Sequence, residues 1–127
     1  MTRVNIANVN SAHGSWLHSL NFYKTELSIL RVVLTEIAGK NTSAGIRKEI
    51  EHFENQFRVQ SVNIDRLAYD IHTNIHKISE EAQAAHAGYI ESALLTQHNA
   101  LGAAYGQLEK VLTALVQDFR KFAGTSM

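Results

Sequence analysis

Seven histidines, in a 127-residue chain without cysteine, are its main store of reactive side chains. His72, His76 and Glu80 follow one another at steps of four. On a helix that spacing lines one face, and two imidazoles at i,i+4 can share Zn²⁺, Ni²⁺ or Fe²⁺. The spacing equally suits a solvated face, and the surrounding apolar pattern turns His72 and His76 away from the core. A second set is His13, Asp70 and Glu91, which antiparallel register brings level. One imidazole between two carboxylates is a metal half-site or a proton-transfer group with a raised pKa. The plainer alternative for His13 is a hydrogen-bonded cap on the open end of its helix. His98 has Gly102 one turn on. It is either a ring open to a phosphodonor or a polar neighbour of the core. Glu49 and His52 make a single Glu-x-x-His unit, where di-iron carboxylate bundles use two. No serine lies in a strand-turn-helix context. Gly102-x3-Gly106 lacks the Lys-Ser/Thr of a phosphate loop. No catalytic residue and no bound organic cofactor are assigned.

The elements that carry these groups are helices. Trp16, Leu20, Tyr23, Leu27, Leu30, Leu34 and Ile37 recur at alternating steps of four and three, and one step back lands on His13. Asn10 or Ser11 suits the start and Gly39 the end. A second stripe runs Ile46, Ile50, Phe53, Phe57, Gln60, Ile64, Leu67, Ile71, Asn74, Ile78, with Thr42 or Ser43 as cap. A third runs Ala87, Ile90, Leu94, Gln97, Leu101, Ala104, Leu108, Val111, Leu115, then slips to Phe119 and Phe122. There is no proline to break any of them. His72, His76 and Lys77 suit a helix end, and Glu80 and Glu81 suit a start, which places a turn near 78–81. His86-Ala87-Gly88 is the rival turn, and the His76–Glu80 spacing would support continuation as one helix. The pattern predicts an all-α chain of three long antiparallel helices at about 12–38, 43–78 and 80–122. Residues 1–11 form an N-terminal arm, and 1–127 is one domain.

Twelve basic and twelve acidic residues cancel. That balance leaves no basic footprint for nucleic acid and little charge repulsion against self-association. No run of about 20 apolar residues is available to span a membrane, and MTRVNIANVN lacks the layout of a signal peptide. A cytoplasmic setting is expected, with neither nucleic acid nor membrane as partner.

Helix one carries a further stripe, Phe22, Glu26, Ile29, Val33, Glu36, and helix three another, Tyr105, Leu112, Phe119. A three-helix monomer needs one apolar face per helix. The extra stripes either widen the core or complete the bundle by dimerisation. Phe22, Ile29, Val33, Tyr105 and Leu112 are the expected interaction surface, for a second copy or another helical protein.

Three resemblances add to this. His72-x3-His76-x3-Glu80 resembles fragments of hemerythrin-like motifs, which draw ligands from four helices. His98-Asn-Ala-Leu-Gly102 resembles the histidine phosphotransfer motif, with Leu101 where that family has lysine. Glu51-His-Phe-Glu-Asn-Gln-Phe57 and Asp70-Ile-His72 are similar to uncharacterised all-helical bacterial proteins. That similarity implies a long-helix fold and a bacterial source, with no assigned activity. The expected function is a non-enzymatic helical scaffold or protein-interaction module that self-associates. A metal-binding bundle is the alternative, and a histidine phosphotransfer module the third.

Overall fold

The computed structural model describes residues 6–41, 43–85 and 92–126. They form three helices: α1 (Ile6–Lys40), α2 (Ala44–Ala85) and α3 (Ser92–Ser126). No strand occurs among the described residues. The chain is an all-α three-helix bundle, as the 4-3 spacing of apolar residues requires. Its packing divides into two compact units, residues 1–20 with 65–107 and residues 21–64 with 108–127.

In the first unit Val9 and Ile78 are buried together, with Leu94 and Leu95 packed against them. His13 meets Asn74 four residues further along α1 and four back along α2. Numbers rise on one helix as they fall on the other, so α1 and α2 are antiparallel here. α3 runs with α1: His13 meets His98 and Trp16 lies over Gly102.

The second unit is built on rings. Phe53, Phe57, Phe119 and Phe122 pack with centroids 5.1 to 6.1 Å apart. Leu27, Leu30, Leu34, Ile37, Ile64, Leu112, Leu115 and Val116 complete its core. Polar ties run from α1 to α3 at its rim. Tyr23 and Thr113 share a 3.4 Å hydrogen bond, and Arg120 donates to Glu26 at 2.9 Å. Asn41 donates from Nδ2 to the Ile37 carbonyl at 2.9 Å and to that of Ser126 at 3.3 Å. It thereby occupies carbonyls that helix ends leave unpaired. At the start of α2 the Ser43 Oγ accepts from the Ile46 amide at 3.4 Å, the expected N-cap.

Three boundaries differ from expectation. There is no arm over residues 6–11: α1 starts at Ile6 and runs through Asn10 and Ser11. Burying Val9 extends the apolar seam one turn and overrides the local preference of Asn10 and Ser11 for a cap. α2 passes through 78–81 and reaches Ala85. Ile78 there is a core residue, and Glu80 pairs with His76 one turn back inside the same helix. The charge change that suggested a boundary is an i,i+4 pair. The rival turn, His86-Ala87-Gly88, lies outside the described residues. α3 continues past Phe122 to Ser126.

The third stripe is also turned by one position. Gln97, Ala104 and Val111 are exposed, whereas His98, Leu112 and Phe119 are buried and Tyr105 is half-buried. Leu101, Leu108 and Leu115 fit either stripe. The larger side chains at 105, 112 and 119 decide the choice, because they remove more apolar area from water than Ala104 and Val111 would.

Candidate functional site

A polar node lies inside the first unit. His13 occupies a seam position and is only 1% exposed; Asn74 and His98 are buried with it. His13 Nε2 stands 2.9 Å from Asn74 Oδ1 and 3.0 Å from His98 Nδ1. Asn74 Nδ2 donates to the Leu94 carbonyl at 3.3 Å. That bond fixes the carboxamide, so its oxygen faces His13. His13 Nε2 must then carry the proton and donate it. His98 Nδ1, on the same nitrogen, is a second acceptor for that proton, so the hydrogen of a neutral His98 is on Nε2. His13 Nδ1 is left buried and without a partner. In this tautomer it is a bare lone pair, which costs less than an orphaned N–H.

Aromatic rings enclose the node. Trp16 stacks on His98 with centroids 5.0 Å apart and meets His13 edge-on at 5.6 Å. Its other neighbour is Tyr105, stacked at 6.2 Å. Trp16 fits because Gly102 has no side chain: a Cβ there would lie 2.9 Å from Trp16 Cζ2. Burial lowers the pKa of both histidines. For His13 the hydrogen bond to Asn74 works against that lowering and the proximity of His98 adds to it. Both rings are therefore held neutral. A cleft of about 440 Å³ opens between α2 and α3 in the same unit, walled by Tyr69, Asp70, Lys77, Gln97 and Leu101. Asn74 also lines it.

The expected site residues fall out as follows. His13 does not sit level with Asp70. Its partner is Asn74, one helical turn on, and Asp70 is exposed. α1 begins at Ile6 and Val9 packs with Ile78, so residues 71–78 do not overhang the start of α1. Asn74 is therefore a core group rather than a solvated one. Glu91, the third member of that set, lies outside the described residues. His72 is exposed, and His76 and Glu80 are paired at 3.0 Å with side chains 76% and 66% exposed. Among the described residues no three His, Cys, Asp or Glu side chains come together as metal ligands.

His98 is 9% exposed and set into the node. Trp16 covers a face of its ring, His13 engages its Nδ1, and the space at Gly102 is filled by Trp16. Leu112, expected on an interaction surface, is 0% exposed and belongs to the core of the second unit. Tyr105 is half-buried against Trp16. Phe22 and Ile29 are exposed, and Val33 is half-buried. Val32, absent from the expected stripe, is more open than any of these. Glu26 is drawn in by Arg120, so the open stripe on α1 is Phe22, Thr25, Ile29, Val32, Glu36. Comparison with known proteins finds no matching family, no matching curated protein and no matching solved structure.

Proposed function

We propose that the protein is a non-enzymatic, cytoplasmic helical module that self-associates through the outer face of α1 in its second unit. One observation carries the reading. Phe22, Ile29 and Val32 are 59%, 55% and 61% exposed, and with Thr25 and Glu36 they repeat at steps of three and four. A helix with an open 4-3 stripe offers knobs and holes to another helix. The partner favoured is a second copy of this chain. The formal net charge is zero, so two copies meet without mutual repulsion. The stripe itself contains one charged residue, Glu36 at its end, so no patch of opposite sign is needed to match it.

Sedimentation over a range of concentrations tests this. The unaltered protein is expected to form dimers. Ile29→Glu is expected to abolish them without loss of helicity, since the position is exposed. A protein that stays monomeric at high concentration, or dimers that persist in Ile29→Glu, would remove the reading.

A further inference from the structure

We propose that the buried node of the first unit, His13 Nε2, His98 Nδ1 and Asn74 Oδ1, is a site for one divalent first-row transition metal. The starting observation is a nitrogen with two claims on it. His13 Nε2 has a single orbital for a proton or a lone pair, yet an amide oxygen and a second imidazole nitrogen both stand within hydrogen-bond distance of it. One shared proton satisfies the two acceptors poorly. A cation accepts a lone pair from all three atoms at once.

The two separations from His13 Nε2 bear on the geometry. Ligands about 2.1 Å from a metal lie about 3.0 Å apart at right angles and about 3.4 Å apart in a tetrahedron. The separations here are 2.9 and 3.0 Å. They match adjacent corners of an octahedron, which suits Ni²⁺, Co²⁺ or Fe²⁺ better than structural Zn²⁺. Two imidazoles with one neutral oxygen form a borderline donor set, also in keeping with those ions. The ligands come from α1, α2 and α3, so the node is preassembled by the packing. Asn74 is the one member of the node that also lines the neighbouring cleft.

The protons balance. When the metal takes His13 Nε2, the proton there moves to Nδ1; His98 keeps its proton on Nε2, and none is released. Nδ1 has no acceptor. The site is therefore weaker than one whose outer nitrogens are paired. His72 and His76 have no part in it.

Trp16 reports on the node directly, since it is the chain's one tryptophan and touches both histidines. Tag-free, chelator-treated protein is titrated with Ni²⁺ while its fluorescence is followed, and with Co²⁺ for the visible band of octahedral cobalt. Quenching is expected to saturate at one metal per chain and to survive His72→Ala/His76→Ala. His98→Gln, once its helicity is verified, is expected to weaken binding at least about tenfold. Asn74→Asp keeps the shape and adds an anionic ligand, and is expected to tighten binding about tenfold. A merely structural asparagine would show no such gain. The proposal is overturned by quenching that does not saturate at one metal per chain, by its loss in the His72/His76 variant, or by an affinity that Asn74→Asp leaves unchanged or lowers.

Discussion

Two buried imidazoles tie the first unit to pH. Burial lowers the pKa of His13 and of His98, so the unfolded chain binds protons that the folded one refuses. For a depressed folded pKa, the stabilising contribution is complete above the unfolded value of about 6.5 and is lost as pH falls below it toward the folded pKa. In the presence of chelator, the urea midpoint is expected to fall between about pH 7.5 and pH 5. His98→Gln should flatten that fall, because one of the two refused protons disappears. Midpoints that change equally in both proteins would show that His98 contributes nothing to the pH response. His13 was legible as a core position from its place on the heptad. Its partners were not. They depend on the register between helices, which apolar spacing alone does not set: Asn74 takes the place expected for Asp70, and His98 the place expected for Glu91.

Among elements, α3 gives the sharpest contrasts. Gly102 and Gly106 lie one turn apart on it. A methyl group on Gly102 meets the Trp16 ring at 2.9 Å, whereas one on Gly106 meets nothing within 4 Å. Trp16 is held between His98 and Tyr105, so it yields little. Gly102→Ala is expected to lose about 1–2 kcal/mol after its gain in helix propensity, and Gly106→Ala to gain up to about 1 kcal/mol. Thermal melts of the two variants should move in opposite directions. In the second unit Phe57, fully buried between Phe53 and Phe119, anchors the ring cluster. Phe57→Ala is expected to cost about 3–5 kcal/mol, measured by urea unfolding. Three helices were readable from periodicity alone. The face of α3 that turns inward was not, because two stripes share Leu101, Leu108 and Leu115. Side-chain volume, rather than spacing, separates them. The end of α2 was obscured because the i,i+4 pair His76–Glu80 has the charge order of a helix end followed by a helix start.

At the scale of the whole molecule, balanced charge and open apolar side chains point the same way. No described helix is long and apolar enough to cross a membrane. If Phe22, Ile29 and Val32 drive association, the dimer is held by apolar contact. Raising salt from about 50 to 500 mM should then leave the dissociation constant within about twofold, since screening acts on charges. Equilibrium sedimentation at the two salt levels measures this; a dimer that dissociates at high salt would point to ion pairs instead. The sequence already held the open stripe on α1. Its register was off at Val33, because the reach of Arg120 to Glu26 is a tertiary contact with no local signature.

Each compact unit is assembled from separated stretches: residues 1–20 with 65–107, and 21–64 with 108–127. No contiguous half of the chain therefore encodes a finished core. A gene divided after residue 64 would yield two peptides, neither containing a complete unit, and most helical stability in a protein comes from such packing. Mixing the two peptides should restore ellipticity that neither shows alone, so the protein lends itself to reconstitution from complementary fragments.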